Sequence, residues 1–190
     1  DFKLSNVAAA VTAVLLSGEE LPATLAAVSS LQSVPGRMQL IPNEQGLQVI
    51  VDYAHTPDAL EHVLMALKPH VTGEMVTVFG CGGDRDRIKR QLMGRVACKL
   101  SDRVVVTSDN PRSEDPVAII DDIVSGCTGE FELEVDRALA IAAAVAAAQP
   151  GDCVLIAGKG HEDYQLVNGE RRYFSDAEQA RSALASRLAS

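Results

Sequence analysis

Residues 75–107 read MVTVFGCGGDRDRIKRQLMGRVACKLSDRVVVT, and this stretch decides the fold. Its first five residues form a continuous apolar run with β-branched members, and a second such run begins at Arg103. Between the two lie a glycine-rich segment at 80–83 and a stretch at 87–100 with the composition of a helix. A strand, a helix and a strand in this order predict a parallel βαβ unit. Because the apolar runs are continuous rather than alternating, we expect helices on both faces of the sheet.

The same alternation of strands and helices continues from Arg37 towards the end of the chain. Strands are predicted at 38–41, 47–52, 75–79, 103–107, 131–135 and 153–157, and helices at 57–67, 87–100, 116–125, 137–149 and 177–188. A β-hairpin is expected at 164–174, because Asn168 and Gly169 favour the backbone of a tight turn. The sequence therefore predicts an α/β fold with an open, mainly parallel sheet.

The first 34 residues have a different character. Helices are predicted at 4–17 and 21–31, with Gly18 as the stop signal between them. Two short helices are too small to enclose a core, so we expect this segment to pack on another part of a protein. The Ser-Val-Pro-Gly cluster at 33–36 is typical of a linker or turn and marks the boundary.

Composition excludes several classes of protein. With 17 basic and 26 acidic residues the formal charge is −9, which argues against nucleic acid or an anionic membrane as a partner. The apolar stretches are shorter than the ~20 residues that a bilayer span needs. The opening DFKLSN has no secretory character, and four cysteines without a C-x-x-C pair are interpreted as buried thiols. We therefore expect a globular protein of the reducing cytoplasm.

Charged side chains follow four of the predicted strands. Open α/β sheets bind ligands beyond the carboxyl ends of their strands, so these junctions are the candidate site. They are 52–58 (DYAHTPD), 80–86 (GCGGDRD), 108–112 (SDNPR) and 158–163 (GKGHED). The glycines at 80–83 are explained equally by a tight turn and by close approach of backbone N–H groups to an anion.

Together the junctions offer groups of both charges. Arg85 and Arg112 could each receive a carboxylate, and Asp109 and Glu162 could each receive an ammonium group. A zwitterion such as an amino acid satisfies this set, whereas a metal site would not include the arginines. For each arginine a surface ion pair is the alternative interpretation.

No catalytic residue is assigned. His55 and His161 could be general bases or could simply be hydrogen-bonded within their loops, and neither has a serine or cysteine nucleophile as an evident partner. No phosphate loop of the form G-x-x-x-x-G-K-[ST] occurs. The chain therefore cannot hold the phosphates of ATP by itself.

Six segments in combination resemble the C-terminal part of the Mur ligases, in particular the member that adds the third peptide residue to UDP-N-acetylmuramoyl-L-alanyl-D-glutamate. They are PGRM at 35–38, VDYAHTPDAL at 51–60, FGCGGDRD at 79–86, KRQLMG at 89–94, DNPR at 109–112 and AGKGHEDYQ at 157–165. With the flanking helices the resemblance covers essentially the whole chain. One departure is Gln91, where that family has proline.

The resemblance implies a three-domain ligase of which this chain is a part. Residues 1–34 would be the helical end of the central domain, and residues 35–190 a Rossmann-like C-terminal domain that binds the incoming amino acid. In such enzymes ATP and Mg²⁺, held mainly outside this segment, activate a substrate carboxylate for amide formation. The partners implied are meso-diaminopimelate and, through the other domains, the UDP-MurNAc-dipeptide. The chain alone is expected to be inactive.

The resemblance also assigns roles to residues. Those expected to bind meso-diaminopimelate are Arg85, Asp109, Asn110, Pro111, Arg112, Gly158 and Glu162, and those expected to contact the nucleotide are Arg37, Asp52 and His55. The DNPR form is associated with meso-diaminopimelate, whose distal end carries both an ammonium group and a carboxylate. The alternatives are a related ligase that adds lysine or glutamate, and a stand-alone amino-acid-binding module.

Overall fold

The computed structural model describes residues 2–30 and 34–188 and divides the chain into two compact units, Asp1–Ser33 and Val34–Ser190. The first unit holds helices α1 (Phe2–Leu16) and α2 (Leu21–Ser29), separated by a turn in which Gly18 has a φ of +102°. The predicted end of the second helix, at Leu31, lies outside the described residues. Leu16, Leu21 and Leu25 are exposed, and Thr24 is the one buried residue among the described side chains of this unit.

The second unit is built around a six-stranded sheet. Its strands are β1 (Gln39–Ile41), β2 (Gln48–Asp52), β3 (Met75–Phe79), β4 (Arg103–Val106), β5 (Glu132–Leu133) and β6 (Cys153–Ala157). Their order is β1-β2-β6-β3-β4-β5, and only β1 is antiparallel to its neighbour. The prediction of an open, mainly parallel sheet is confirmed.

Five helices cover the two faces of this sheet. They are α3 (Pro57–Leu67), α4 (Ile88–Leu100), α5 (Pro116–Val124), α6 (Arg137–Ala147) and α7 (Asp176–Leu188). Helices α3, α4 and α5 pack on the face that includes Leu155, whereas α6 and α7 pack on the face that includes Val154 and Ile156. Burial on both faces explains why the strand sequences are continuously apolar.

The edge of the sheet differs from the sequence prediction. A strand was expected at 131–135, but β5 contains only Glu132 and Leu133, both exposed. It pairs with β4 on one side only, so half of its backbone hydrogen-bonding capacity faces away from the sheet. The composition of residues 131–135 predicted where this strand lies. The strand is shorter than predicted because only Glu132 and Leu133 pair with β4, its single neighbour.

The predicted hairpin is confirmed as strands β7 (Tyr164–Val167) and β8 (Glu170–Tyr173). Asn168 and Gly169 both have positive φ, +50° and +82°, which is the backbone of the tight hairpin turn that Asn-Gly favours. A short 3₁₀ turn follows α3 at Lys68–His70. No helix in the described part of the chain is long and apolar enough to cross a bilayer.

All four cysteines are free thiols. Cys81 and Cys153 are buried as expected, but Cys98 and Cys127 are only half-buried, so that prediction holds for two of the four. Burial raises the pKa of the Cys81 and Cys153 thiols to about 12. These two side chains are therefore neutral at physiological pH and act as small apolar residues of the core.

The register of the sheet brings four loops to one edge. Asp52 at the end of β2 and Phe79 at the end of β3 both pair with Ala157 at the end of β6, and Phe79 also pairs with Val106 at the end of β4. Parallel strands that end side by side release their following loops side by side. The four junctions singled out in the sequence are therefore neighbours in space.

Candidate functional site

The glycine-rich turn after β3 packs directly against the loop after β4. The Gly83 N–H donates to the carbonyl oxygen of Asn110 at 2.8 Å, and a Cβ on Gly83 would come within 2.0 Å of the Pro111 carbonyl oxygen. A Cβ on Gly80 would lie 2.2 Å from the carbonyl oxygen of Thr107. Close packing of backbone on backbone therefore accounts for these two glycines.

A buried lysine joins the loops after β4 and β6. The side chain of Lys159 is fully buried, and its Nζ lies 3.3 Å from Asp109 Oδ1, 3.4 Å from Glu162 Oε2 and 3.1 Å from Asn110 Oδ1. Asn110 also donates through Nδ2 to Glu162 Oε2 at 2.9 Å. We call these four residues the Lys159 cluster. Asp109 and Glu162 are thus close together although 52 residues separate them in the sequence.

Each carboxylate of the cluster keeps one oxygen open. In the described part of the chain, Asp109 Oδ2 and Glu162 Oε1 accept no hydrogen bond. Both side chains keep some exposure to solvent, 9% for Asp109 and 20% for Glu162. The cluster therefore presents two free acceptor oxygens to a ligand, and a carboxylate oxygen prefers a cationic donor such as an ammonium group.

Arg112 lies next to the cluster, and its guanidinium is held at one nitrogen, Nη1. Its Nη1 donates to the carbonyl oxygens of Gly83, at 2.7 Å, and Asn110, at 3.4 Å. Its Nε and Nη2 donate to no atom of the residues described. This half-buried side chain therefore has two unused donors in the planar arrangement that binds a carboxylate through two hydrogen bonds.

The backbone of Arg112 is held by the hairpin. Its φ of +53° is unusual for a residue other than glycine. Its N–H donates to the Leu166 carbonyl oxygen at 2.8 Å, and its own carbonyl oxygen accepts from the Asn168 N–H at 2.7 Å. These two bonds form an isolated bridge between the DNPR loop and β7, which holds the less favourable backbone conformation in place.

Arg85 makes no hydrogen bond to the other predicted binding residues in the described structure. Its side chain is exposed, and in the described structure its only hydrogen bond goes from Nη1 to the carbonyl oxygen of Asp84 at 3.2 Å. Asp84 in turn accepts from the Ser113 hydroxyl at 2.7 Å, so the turn that carries Arg85 is tied to the DNPR loop. Arg85 therefore lies on the rim and is free to change rotamer.

Two further glycines allow close approach at the loop after β6. Gly158 has a φ of +120°, and a Cβ there would lie 3.0 Å from Asp109 Oδ2, one of the two open oxygens. Gly160 has a φ of +55°, and a Cβ there would lie 2.7 Å from the Gly36 carbonyl oxygen. In the opposite direction, a Cβ on Gly36 would come within 2.0 Å of the His161 nitrogen. Side chains at these positions would obstruct the open oxygen or separate the two loops.

The residues predicted to contact a nucleotide surround Tyr53. The Arg37 guanidinium stacks 4.5 Å above the centre of the Tyr53 ring, and His55 Nδ1 lies 2.8 Å from the Tyr53 carbonyl oxygen. Both side chains are otherwise exposed. Asp52 is different, because its two oxygens accept from the Met38 N–H at 2.7 Å and the Ala54 N–H at 2.8 Å. Asp52 therefore also has a structural role.

Three buried cations were not recognised in the sequence as part of the site, namely Lys159, Arg90 and Arg137. Arg137 forms a bidentate pair with Asp176, at 2.7 and 2.8 Å, in which both side chains are fully buried. It also donates to the carbonyl oxygens of Ser108 and Ala157, at 3.3 and 3.0 Å, where two of the site loops begin. Burial alone would lower the pKa of Arg137, but the attraction of Asp176, with contributions from Asp109 and Glu162, outweighs burial and raises it.

Arg90 supports the glycine-rich turn from helix α4. Its guanidinium donates to Glu114 at 2.7 and 2.9 Å, to Asp122 at 2.9 Å and more weakly to the Gly82 carbonyl oxygen at 3.4 Å. The hydrogen bonds from Arg90, together with one from the Asp84 N–H, lower the pKa of Glu114 to about 2. A signal for this role existed in the sequence, because Arg90 shares a helix face with the buried Met93 and Ala97.

The described residues include no group of three or more His, Cys, Asp or Glu side chains placed to hold a metal ion. The polar groups of the site instead comprise two half-used carboxylates, an amide, a lysine and an arginine with a free edge. This arrangement suits a ligand that carries both an ammonium group and a carboxylate.

The chain belongs to the Mur ligase family: residues 36–160 match the family described as "Mur ligase, glutamate ligase domain". It is 52% identical over 189 residues to the UDP-N-acetylmuramoyl-L-alanyl-D-glutamate--2,6-diaminopimelate ligase of Synechococcus elongatus, covering 98% of this chain and 38% of that protein. The chain therefore spans less than two fifths of the length of this relative.

Solved structures agree with the fold. A structure of a UDP-N-acetylmuramoyl-L-alanyl-D-glutamate--2,6-diaminopimelate ligase superimposes with a TM-score of 0.79 at 45% identity, covering 98% of this chain and 39% of that one. The MurF ligase of Thermotoga maritima, in complex with ADP, has the same fold, with a TM-score of 0.65 at 20% identity and coverage of 98% and 38%.

Proposed function

We propose that this chain is the amino-acid-binding part of an ATP-dependent ligase that adds meso-diaminopimelate to UDP-N-acetylmuramoyl-L-alanyl-D-glutamate in the cytoplasm. The observation that carries the proposal is the pairing of free groups at one sheet edge. Asp109 and Glu162 each keep an open oxygen, and Arg112 keeps an open guanidinium edge. The names of the relatives support the same substrate.

The chemistry of meso-diaminopimelate matches these groups. Its distal end carries an ammonium group for Asp109 and Glu162 and a carboxylate for the free edge of Arg112. Arg85, on the rim, is assigned to the other carboxylate, and Asn110, Pro111 and Gly158 shape the loops around the ligand. Lysine would leave Arg112 without a partner, and glutamate would leave an acidic oxygen without one, so each would lose binding energy.

The remaining parts of the reaction are assigned to the other domains of the full-length ligase, which lie outside this chain. ATP and Mg²⁺ would be held mainly there, as would the UDP-MurNAc-dipeptide. From this chain, Arg37 and His55 would contact the nucleotide, since both are exposed beside Tyr53. Asp52 is assigned to the same contact, although its oxygens already accept two backbone N–H groups. Residues 1–34 would be the last helices of the central domain.

A chimaera tests the proposal directly. The matching C-terminal segment of the Synechococcus elongatus relative would be replaced by this chain, and amide formation would be measured with meso-diaminopimelate, lysine and glutamate at saturating ATP and UDP-sugar substrate. We expect meso-diaminopimelate to be the preferred amino acid. Preference for lysine or glutamate would support the corresponding alternative ligase. A folded chimaera that used none of the three would contradict the assignment.

A further inference from the structure

Lys159 has no part in the function proposed so far, yet it is among the most deeply buried side chains of the protein. Its ammonium group lies within 3.4 Å of an oxygen on each of Asp109, Asn110 and Glu162. On another side, its Nζ lies 5.5 Å from the centre of the Tyr164 ring. Removing a lysine from water is costly, so a fully buried one needs these partners.

The position of this ammonium group matters because the two carboxylates are the expected acceptors for the ammonium group of a ligand. One oxygen of each carboxylate contacts Lys159, and the other accepts no hydrogen bond from the described residues. Lys159 therefore does not block the site. It neutralises one of two neighbouring negative charges and orients both carboxylates so that their free oxygens are available.

The charges of the groups around the distal end of the ligand sum to zero only when Lys159 is counted. Asp109 and Glu162 contribute two negative charges, and Lys159 and Arg112 contribute two positive ones. Arg137 is also near these carboxylates, but its own charge is balanced by the buried Asp176. A neutral site matches the distal end of meso-diaminopimelate, which is neutral as a zwitterion. The distal end of lysine carries one net positive charge.

We propose that Lys159 is a positioning and specificity-determining residue: its buried ammonium group orients Asp109, Asn110 and Glu162 and gives the part of the site that receives the distal end of the amino acid a net charge of zero. The proposal rests on the function proposed above. Charge mismatch in a desolvated site is costly, so the balance favours a zwitterionic distal end over a cationic one.

Binding of amino acids to the 190-residue chain tests this idea through NMR titrations with meso-diaminopimelate and with lysine. Lys159→Met removes the charge but keeps most of the side-chain length. We expect it to lower the ratio of the affinity for meso-diaminopimelate to that for lysine at least ~10-fold, or about 1.4 kcal/mol. Lys159→Arg keeps the charge, and we expect it to preserve the ratio even if both affinities fall.

Two further variants separate charge from structure. Lys99→Met makes the same change at an exposed lysine on α4 and should leave both affinities unchanged. The double variant Lys159→Met/Glu162→Gln returns the sum of charges to zero, so its affinity ratio should recover towards that of the parent chain. Because only Asp109 then remains of the two carboxylates that contact Lys159, it also serves as the protein for the titrations if Lys159→Met alone does not fold.

The outcomes are distinct. If Lys159→Met weakens both amino acids by the same factor, or if the double variant has a lower ratio than the single one, Lys159 has only a structural role and the proposal is wrong. The proposed function itself is wrong if the parent chain binds lysine more tightly, or binds neither amino acid, and the chimaera likewise prefers lysine or forms an amide with neither. A parent preference for meso-diaminopimelate that falls with Lys159→Met and recovers in the double variant supports both.

Discussion

Two buried cations lie near the same sheet edge, but their surroundings differ. Arg137 is closed: it pairs with Asp176 in bidentate geometry, donates also to the Ser108 and Ala157 carbonyl oxygens, and is removed from solvent together with Asp176. Lys159 is equally buried, but the carboxylates that it contacts each keep an open oxygen. The comparison separates a completed interaction, which supports the fold, from a half-completed one, which is available to a ligand.

The largest expected effect comes from breaking the closed pair. Arg137→Met leaves Asp176 buried without a counter-ion, so the free energy of unfolding should fall by about 3–5 kcal/mol. Chemical denaturation of the purified variants measures it. Arg137→Met/Asp176→Leu removes both charges and should recover a large part of the loss. If the single variant were as stable as the parent chain, the closed pair would not support the fold.

The next effect concerns the open edge of Arg112. Arg112→Ala in the chimaera should lower kcat/KM for meso-diaminopimelate by about 2–4 kcal/mol, because one partner of a desolvated charge pair is lost. Discrimination against lysine should fall with it. Arg95→Ala, at an exposed arginine of α4, is the matched control and should change neither value. An unchanged preference after Arg112→Ala would show that Arg112 does not receive the distal carboxylate.

A smaller effect depends on pH and concerns Glu114, the partner of Arg90. The pKa of Glu114 is about 2 in the folded protein against 4.5 ordinarily, because Arg90 stabilises the ionised form. The stabilisation is therefore complete above about pH 4.5 and is lost as the pH falls towards 2. Glu114→Gln should lower stability at pH 7 by about 1–2 kcal/mol and flatten the pH dependence of Tm in this range. Equal slopes in both proteins would contradict this account.

The smallest effect is expected at an ion pair outside the site. Arg171 and Asp163 lie 2.9 Å apart, but both side chains are more than half exposed, at 64% and 60%. Arg171→Met should change the free energy of unfolding by no more than about 1 kcal/mol, because water screens such pairs. The same denaturation experiment as for Arg137 applies. A loss as large as that of Arg137→Met would mean that burial does not explain the contrast.

Much of the fold could be predicted because each central strand is buried on both faces. Residues such as Val154 and Leu155 point to opposite cores, so the strands are apolar throughout and easy to locate. Strand β5 was harder, because an edge strand with exposed side chains ends where its single neighbour stops pairing with it. Its length is a property of the sheet rather than of residues 131–135.

The position of the site could also be predicted, but its internal contacts could not. Ligand sites in parallel sheets follow the carboxyl ends of strands, which was enough to indicate Asp109, Arg112 and Glu162. That Lys159 contacts both carboxylates depends on the side-by-side pairing of β6 with β3 and of β3 with β4, which no local pattern reveals. The role of Arg85 stays a prediction, since its exposed side chain makes a hydrogen bond only to the Asp84 carbonyl oxygen in the described structure.

Gly36 and Gly160 illustrate how backbone packing fixes the residue type at two positions that are distant in the sequence. A Cβ on Gly36 would come within 2.0 Å of the His161 nitrogen, and one on Gly160 within 2.7 Å of the Gly36 carbonyl oxygen. Backbone meets backbone here, so no change of rotamer relieves the overlap. A side chain at either position would overlap with backbone atoms at the other loop. A substitution at the second position does not remove those atoms and therefore creates no space. Deep mutational scanning should therefore find both sites intolerant of every alternative, with no pairwise rescue between them.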